Sequence, residues 1–272
     1  MTSSRRAPVL KDLVLVGGGH SHVIVLRRFG MRPMPGVRVT VIARDIHAPY
    51  SGMLPGLIAG HYRFDDAHID LGPLTRFADA RLFHDSVTGV DLDGRRVLCR
   101  DRPPVAYDVL SIDVGVTPAL RIPGAADHAV PVKPISALVA RWERLQARVR
   151  ASPDRLRVGI VGAGAAGVEL TLAIQHALRE QGAARVDGFP NPEFHLFSGV
   201  DRILPTHNGG VRARFTRVLH ERGVHVHLNS RVNRVEAGRV EVDGAAAVEV
   251  DEVIWATEAG AQSWPGESGL DV

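Results

Sequence analysis

The chain carries two glycine-rich turns, and each follows a short apolar run. The first is Gly17-Gly18-Gly19-His20-Ser21-His22 after Leu13–Val16, and the second is Gly162-Ala163-Gly164-Ala165-Ala166-Gly167 after Val158–Val161. Glycines at the end of a buried strand permit a tight turn and a close approach to a pyrophosphate, and the helix that follows offers free N–H groups. Two such turns predict two dinucleotide sites, for a flavin and a nicotinamide, placed to exchange a hydride.

A glycine-rich turn also occurs as a plain strand-to-helix connection without a ligand, and the two turns differ in this respect. The second turn has all three expected glycines and a helical pattern after them. In the first turn His22 takes the place of the third glycine, so we expect its helix to lie slightly away from the strand. His20 and His22 are also metal-ligand residue types, but no cluster of carboxylates or cysteines accompanies them, and no metal is predicted.

Length and composition fit a globular protein with two nucleotide-binding domains. The chain has 272 residues, of which 45% are hydrophobic and 23% charged. No apolar run approaches the ~20 residues that span a bilayer. Cys99 is the only cysteine, which excludes an internal disulfide and a two-cysteine redox relay within this chain. A reducing, cytoplasmic setting is expected. Arginines near Cys99 would lower the pKa of a reactive thiol, but the sequence has no second cysteine to resolve it, so no redox role is predicted for Cys99.

The net charge of +3 does not indicate a nucleic-acid partner. All but two of the 33 basic residues are arginine, and they are scattered among 30 acidic residues. A nucleic-acid surface would gather such residues into a stripe with aromatic side chains. Contact with a membrane is expected to be peripheral at most, at its inner face.

The hydrophobic pattern alternates strands with helices and predicts an α/β fold. The class is two Rossmann-like dinucleotide-binding domains with three layers and parallel sheets. The predicted strands are 12–17, 37–42, 86–92, 95–100, 105–114, 156–161, 193–198, 224–228, 231–236, 239–243 and 253–256. The predicted helices are 20–30, 70–78, 135–150, 165–180 and 208–222. A loop at 47–56 and a Pro- and Gly-rich crossover at 118–131 connect them.

Several motifs resemble those of one family. They are the two turns, with Val23 after the first and Glu169 after the second, and the segments Pro49–Gly56, Gly60–Tyr62, Tyr107–Ser111 and Val132–Ile135. The chain resembles the pyridine nucleotide-disulfide oxidoreductase superfamily and, within it, the type II NADH dehydrogenase-like branch. It is most similar to the flavoprotein fused to, or encoded beside, selenide, water dikinase. The resemblance covers nearly the whole chain.

This resemblance implies a domain order. Residues 1–120 would begin the FAD domain, residues 121–250 would form an inserted NAD(P)H domain, and residues 251–272 would return to the FAD domain. The family continues past the end of this chain with a second flavin-contacting segment. We therefore expect the chain as given to be an incomplete and poor catalyst, with a tail from Ala261 to Val272 that offers little to pack.

The resemblance also implies site residues. The FAD site would be formed by Gly17, Gly18, Gly19, His20, Ser21, Tyr50, Ser51, Gly52, Pro55 and Gly115. The NAD(P)H site would be formed by Gly162, Gly164, Gly167, Ser198 and Arg202, and Glu169, beside the nicotinamide, would be the catalytic residue. Ala43 and Ser198 stand where an acid would bind a ribose, and Glu258 stands where a glycine would approach the flavin. Arg202 favours NADPH, unless Asp201 substitutes for the acid and favours NADH.

The resulting prediction is an oxidoreductase that passes a hydride from NAD(P)H to FAD and electrons onward to a quinone or another small acceptor. A link to selenium chemistry comes from the resemblance alone. The competing prediction is a non-catalytic dinucleotide-binding module that regulates or docks onto a selenophosphate-forming kinase.

Overall fold

A computed structural model describes residues 8–271 of the chain, except 119, 152–154, 184–191 and 258. The elements up to residue 118 are, in chain order, β1 (Lys11–Val16), α1 (His20–Met31), β2 (Val37–Ala43), β3 (His47–Pro49), α2 (Leu54–Ile58), α3 (Phe64–Ala67), β4 (His68–Asp70), α4 (Leu71–Phe77), β5 (Arg81–His84), β6 (Val87–Asp91), β7 (Arg96–Cys99), β8 (Val105–Ala106), β9 (Val109–Ile112) and β10 (Thr117–Pro118).

The later elements are α5 (Ala125–His128), β11 (Ala129–Pro131), α6 (Ile135–Ala151), β12 (Arg157–Val161), α7 (Ala165–Ala183), β13 (Glu193–Phe197), α8 (Gly209–Glu221), β14 (Val224–His227), β15 (Val232–Glu236), β16 (Arg239–Val242), β17 (Val248–Glu249), β18 (Glu252–Trp255), β19 (Ala259–Gly260) and α9 (Trp264–Glu267). The chain divides into two compact units.

The first unit comprises residues 1–50, 65–116 and 261–272. Its parallel sheet has the strand order β5-β2-β1-β9. Alternate residues of a strand point to opposite faces, and both faces of this sheet are apolar. Leu15 and Val41 pack with Leu26 of α1 on one face, and Val14 packs with Val97 of the β6-β7-β8 sheet on the other. The unit therefore has the expected three layers.

The second unit comprises residues 51–64 and 117–260. Its parallel sheet has the order β11-β18-β12-β13-β14. Ile160 packs with Leu138 and Ile174 of helices α6 and α7 on one face. On the other face, Phe197 packs with Val235 of the antiparallel β15-β16-β17 sheet. This unit has the same layered arrangement as the first, and the predicted fold class is confirmed.

The compact units depart from the predicted boundaries of 1–120, 121–250 and 251–272. Residues 51–64 group with the second unit, and the chain rejoins the first unit at Ala261. The physical reason is pairing and packing: β18 pairs with β11 and β12, and Leu54 and Ile58 are buried in the core of the second unit. The second compact unit therefore extends beyond the segment 121–250 at both ends.

Three local predictions were also wrong. The segment predicted as a loop over 47–56 contains β3, a 3₁₀ turn and the start of α2. The predicted strand 105–114 is interrupted between β8 and β9, where Tyr107 donates to Arg95 O and Asp108 donates to Asp12 O. The crossover at 118–131 contains α5 and β11. The strands β3, β9 and β11 in these segments are held by pairing with distant strands, which a local window cannot detect.

The tail beyond Ala261 packs, contrary to expectation. Trp264 is 7% exposed and belongs to the core beneath β1 and β2. Ser268 Oγ accepts a hydrogen bond of 2.9 Å from the N–H of Val90, and Gln262 Nε2 donates to Val114 O at 3.4 Å. One large aromatic side chain therefore anchors a segment whose glycines, serines and proline suggested loose sequence.

A group of histidines lies on β13 and β14 in the second unit. The His195 ring stacks near His225 and His227 at centroid distances of 5.0 and 5.3 Å, and its Nδ1 lies 3.0 Å from His227 Nε2 in a hydrogen bond. Burial lowers the pKa of His195 to about 4, an effect that Glu193 opposes and the neighbouring histidines reinforce. Burial and His225 likewise lower the pKa of His227. The folded chain therefore favours the neutral form of His195 and of His227.

Candidate functional site

The second glycine-rich turn has the geometry of a dinucleotide-binding turn. Gly162 has φ +112°, and a Cβ there would lie 2.6 Å from Ala256 O. A Cβ on Gly167 would lie 1.8 Å from Gly162 O, whereas a Cβ on Gly164 would meet nothing within 4 Å. The first glycine thus makes the turn, the third lets α7 pack on the strand, and the second leaves open space where a pyrophosphate can approach.

The first turn shares the tight conformation but differs at the second position. Gly17 has φ +95°, and a Cβ there would lie 2.1 Å from Asp113 O. A Cβ on Gly18 would meet the Leu71 side chain at 2.7 Å, and one on Gly19 would meet the Asp113 carboxylate at 2.2 Å. Gly17 therefore excludes a side chain because main chain lies against it, whereas Gly18 and Gly19 face the movable ends of side chains. What faces Gly19 is a carboxylate.

His22, in place of the third glycine, is buried between α1 and the sheet. Its Nδ1 lies 2.8 Å from Gly17 O, and its Nε2 lies 2.9 Å from Ser111 Oγ, both in hydrogen bonds. Both ring nitrogens of His22 are hydrogen-bonded inside the unit, as buried polar groups require. The imidazole occupies the space between helix and strand that a glycine would have left for their direct contact. His22 is consequently part of the scaffold of the turn.

His20 and Tyr50 meet beside the first turn. Their rings stand edge to face with centroids 5.1 Å apart, and the Tyr50 side chain is exposed. Ser51 and Gly52 are exposed as well, and Pro55 is half-buried. The structure thus brings Tyr50 to His20, whereas residues 51–64 belong to the other compact unit.

Gly115 ends the segment that follows β9 in the first unit. It has φ +70°, and a Cβ there would meet nothing within 4 Å. Positive φ is a conformation that glycine adopts readily and other residues rarely do. Like the first turn, Gly115 follows the carboxyl end of a parallel strand, the edge of an open α/β sheet at which ligands bind.

In the two units, different residues stand where a ribose-binding acid would be expected: Ala43 in the first and Ser198 in the second. Ala43 is buried at the end of β2, and Asp45, which sequence reasoning missed, places its main-chain oxygen 3.8 Å from where a Gly18 Cβ would be. In the second unit the buried Ser198 uses its hydroxyl to donate to Arg202 O at 2.8 Å. The Ser198 side chain therefore closes its own turn.

Arg202 and Asp201 form an exposed pair after β13. Arg202 donates from Nε and Nη2 to the two Asp201 oxygens at 2.6 and 2.9 Å. Hydrogen bonding to Arg202 lowers the pKa of Asp201. A nucleotide phosphate that approached this guanidinium would have to compete with the carboxylate, and a ribose hydroxyl could instead donate to that carboxylate.

Glu169, the predicted catalytic residue, is exposed on α7, four residues after its first residue. Glu258 lies outside the described residues. Cys99 is half-buried, and burial, together with the nearby Asp85, raises the pKa of its thiol. The thiol therefore favours its neutral form, and the alternative of a reactive thiol with a pKa lowered by nearby arginines is not supported.

Two further observations concern metal and membrane. Over the part of the chain that the structure covers, no group of three or more His, Cys, Asp and Glu side chains is placed to hold a metal ion. Among the same residues, no helix combines the length and the apolar character that crossing a bilayer requires.

Fold and site together define a class of protein: an α/β chain with two dinucleotide-binding units, each with a glycine turn between a parallel strand and a helix. The chain belongs to the pyridine nucleotide-disulphide oxidoreductase family, whose profile matches residues 11–267.

Two known proteins resemble the chain, one over most of its length and one over about a third of it. It is 26% identical over 253 residues to the NADH dehydrogenase-like protein YutJ of Bacillus subtilis, covering 90% of this chain and 64% of that one. Over 105 residues it is 30% identical to the demethylphylloquinone reductase NdbB of a Synechocystis species, covering 37% of this chain and 26% of that protein.

The fold is also that of solved structures. The structure of NDH2 from Plasmodium falciparum in complex with NADH superimposes with a TM-score of 0.82 at 19% identity, covering 93% of this chain and 56% of that one. The chain thus spans about three fifths of the length of these relatives, 64% of YutJ and 56% of the NDH2 chain.

Proposed function

We propose that this chain is the dinucleotide-binding part of an FAD-dependent NAD(P)H oxidoreductase. The observation that supports this most is the geometry of the two turns. Each follows a parallel strand, begins with a glycine at positive φ and opens a helix. A helix N-terminus at the carboxyl edge of a parallel sheet is a favourable place for a pyrophosphate.

The first turn would hold FAD, and its residues fit that role. Gly17 has no room for a side chain, and Gly18 and Gly19 keep the main chain of the turn bare. The N–H groups that open α1, among them those of His20 and Ser21, would donate to the pyrophosphate. Tyr50, with Ser51, Gly52 and Pro55, and Gly115 would lie along the flavin. When bound, the flavin supplies a hydride acceptor and a store for an electron pair.

The second turn would hold NAD(P)H. Gly164, with open space before it, would admit the pyrophosphate, and Gly162 and Gly167 would keep the strand and α7 close enough to aim the helix N-terminus at it. Ser198 and Arg202 would lie near the adenosine ribose. Glu169, exposed on α7, would contact the nicotinamide end and orient it.

The proposed acceptor is a quinone or a similar small molecule. The sequence has one cysteine, so a disulfide relay within the chain is not available to carry electrons from the flavin. A relative named as a demethylphylloquinone reductase supports a quinone as acceptor. Such a substrate would place the protein in the cytoplasm, in contact with the inner membrane face.

A partnership with selenide, water dikinase is a separate proposal. It rests on the resemblance of the Tyr50–Pro55 segment and the Gly17–Val23 turn to the flavoprotein encoded with that kinase. Co-purification of the two proteins at equimolar ratio would support it. Independent elution of the two at micromolar concentration would remove it while leaving the oxidoreductase proposal intact.

The test of the proposed function is a single-turnover experiment without oxygen. The chain is loaded with FAD, mixed with NADH or NADPH, and the visible flavin absorption is followed; a short-chain quinone is then added. Bleaching by the nucleotide and recovery with quinone are expected. Binding of both dinucleotides without bleaching would instead identify the non-catalytic module, and failure to bind FAD would remove the proposal.

A further inference from the structure

We propose that Asp113 occupies the anion site of the first turn and must leave it before a dinucleotide pyrophosphate binds, so that this side chain sets the flavin affinity of the chain. The inference rests on the proposed function, in which FAD binds at this turn. It assigns to Asp113 the role of an internal competitor for the ligand.

The contacts of Asp113 carry the first step of the argument. Its Oδ2 accepts a hydrogen bond of 3.0 Å from the N–H of Ser21, in the first turn of α1. Both carboxylate oxygens lie within 2.3 Å of where a Cβ on Gly19 would be. Gly19, the N-cap residue, has no side chain to cap the helix. The carboxylate thus takes a donor that a pyrophosphate would otherwise use.

The second unit provides an internal comparison. A Cβ on Gly17 would meet the main chain of Asp113 and Val114, and a Cβ on Gly162 would meet that of Ala256 and Thr257. Ala256 is therefore the counterpart of Asp113, and Gly164 is the counterpart of Gly19. Gly164 faces open space, whereas Gly19 faces a carboxylate. The same turn is open where the residue is alanine and covered where it is aspartate.

Electrostatics makes the two occupants exclusive. A helix N-terminus stabilises a negative group through its dipole and its free N–H groups, and here the Asp113 carboxylate already takes the N–H of Ser21. In the part of the chain that the structure describes, Asp113 makes no ion pair that would neutralise it. A pyrophosphate at this turn would therefore meet a like charge at short range. Either the carboxylate leaves, or the ligand binds weakly.

The carboxylate can leave without a change of fold. The main chain of Asp113 is held by its N–H, which donates to Val16 O at 2.8 Å, and by its carbonyl, which accepts from Gly19 N at 3.3 Å. These bonds do not involve the side chain. Rotation about the side-chain bonds is sufficient to release Ser21 N–H, and it leaves the strand register unchanged.

The experiment measures FAD affinity by quenching of flavin fluorescence for the wild type, Asp113→Ala and Asp113→Asn. Asp93→Ala, which removes an exposed carboxylate at the β6–β7 turn of the same unit, controls for net charge. We expect Asp113→Ala to lower the FAD dissociation constant about tenfold and the control to leave it unchanged. Asp113→Asn keeps the shape and removes the charge, so it should also bind FAD more tightly than the wild type.

A second readout does not depend on flavin affinity. Without FAD, Asp113→Ala should melt at a lower temperature than the wild type, because the helix N-terminus loses its internal anion. Saturating FAD should then raise its melting temperature by more than it raises that of the wild type.

Equal or weaker FAD binding by both Asp113 variants, with measurable binding by the wild type, would overturn the inference and leave the proposed function standing. Absence of FAD binding by every protein in the series would overturn both.

Discussion

Gly167 packs against Gly162 so closely that a Cβ there would lie 1.8 Å from the Gly162 carbonyl oxygen. This contact brings the start of α7 onto the end of β12. It is a main-chain contact, and neither partner can rotate away from an added methyl group. Packing therefore requires a glycine at position 167, whereas a Cβ on Gly164, three residues earlier, would lie in open space.

The first prediction follows from that contrast. Gly167→Ala should lower the free energy of unfolding by about 3 kcal/mol, because the added methyl forces α7 away from the strand. Gly164→Ala is the matched control and should leave the unfolding free energy nearly unchanged. Urea denaturation measures both. Equal stability of the two variants would contradict the assigned packing role.

The tail gives a second prediction. Trp264→Ala should destabilise the first unit by about 3 kcal/mol, because it removes a buried indole from the core. Trp264→Phe should recover most of that loss. Thermal melting with both variants is the measurement. A Trp264→Ala protein as stable as the wild type would show that the tail does not anchor the unit.

The histidine group predicts acid sensitivity. The pKa of His195 is lowered from 6.5 to about 4, so the folded state resists protonation that the unfolded state accepts. The contribution of neutral His195 to the free energy of unfolding is fully present above about pH 6.5. As the pH falls from there to about 4, the free energy of unfolding drops by an amount on the order of 2–3 kcal/mol.

His195→Phe should flatten that part of the stability–pH curve, and His220→Gln, at an exposed histidine, should not. Urea titrations at several pH values measure the slopes. If the slope of stability against pH in His195→Phe equals that of the wild type, the account is contradicted. A smaller remaining slope is expected, because the pKa of His227 is lowered as well.

The proposed NAD(P)H site predicts that nucleotide preference depends on the pair Asp201–Arg202. NADPH is the predicted cofactor, with the guanidinium shared between Asp201 and the extra phosphate. Asp201→Asn should free Arg202 and tighten NADPH binding several-fold, and Arg202→Ala should weaken NADPH by about tenfold with little effect on NADH. The measurement is the dissociation constant of each nucleotide for the wild type and both variants, obtained from nucleotide fluorescence. A wild-type preference for NADH of about tenfold or more would favour the alternative, with Asp201 as the ribose acid.

The two turns and their flanking strands and helices could be predicted because their signal is local. An apolar run, glycines and a helical pattern within twenty or so residues are sufficient to place β1 with α1 and β12 with α7. The bounds of these elements agree closely with the prediction, starting at Lys11, His20, Arg157 and Ala165.

Asp113 and Trp264 could not be placed in this way. Asp113 reaches the first turn because β9 pairs with β1, which joins residues more than ninety positions apart. Trp264 reaches the core from a Pro- and Gly-containing tail. The available signal for Asp113 was its position directly after an apolar strand, where the other unit has Ala256. Pairing between distant strands, rather than composition, decides such contacts.

The central claim is that the two turns hold two different dinucleotides, and calorimetric titration of single variants tests it most directly. FAD and NADPH are each titrated into the wild type, Gly19→Val and Gly164→Val, after melting curves establish that all three are folded. We predict that Gly19→Val loses FAD and keeps NADPH, and that Gly164→Val loses NADPH and keeps FAD, because each side chain blocks one pyrophosphate. Loss of the same ligand in both folded variants, or of neither, would contradict the account.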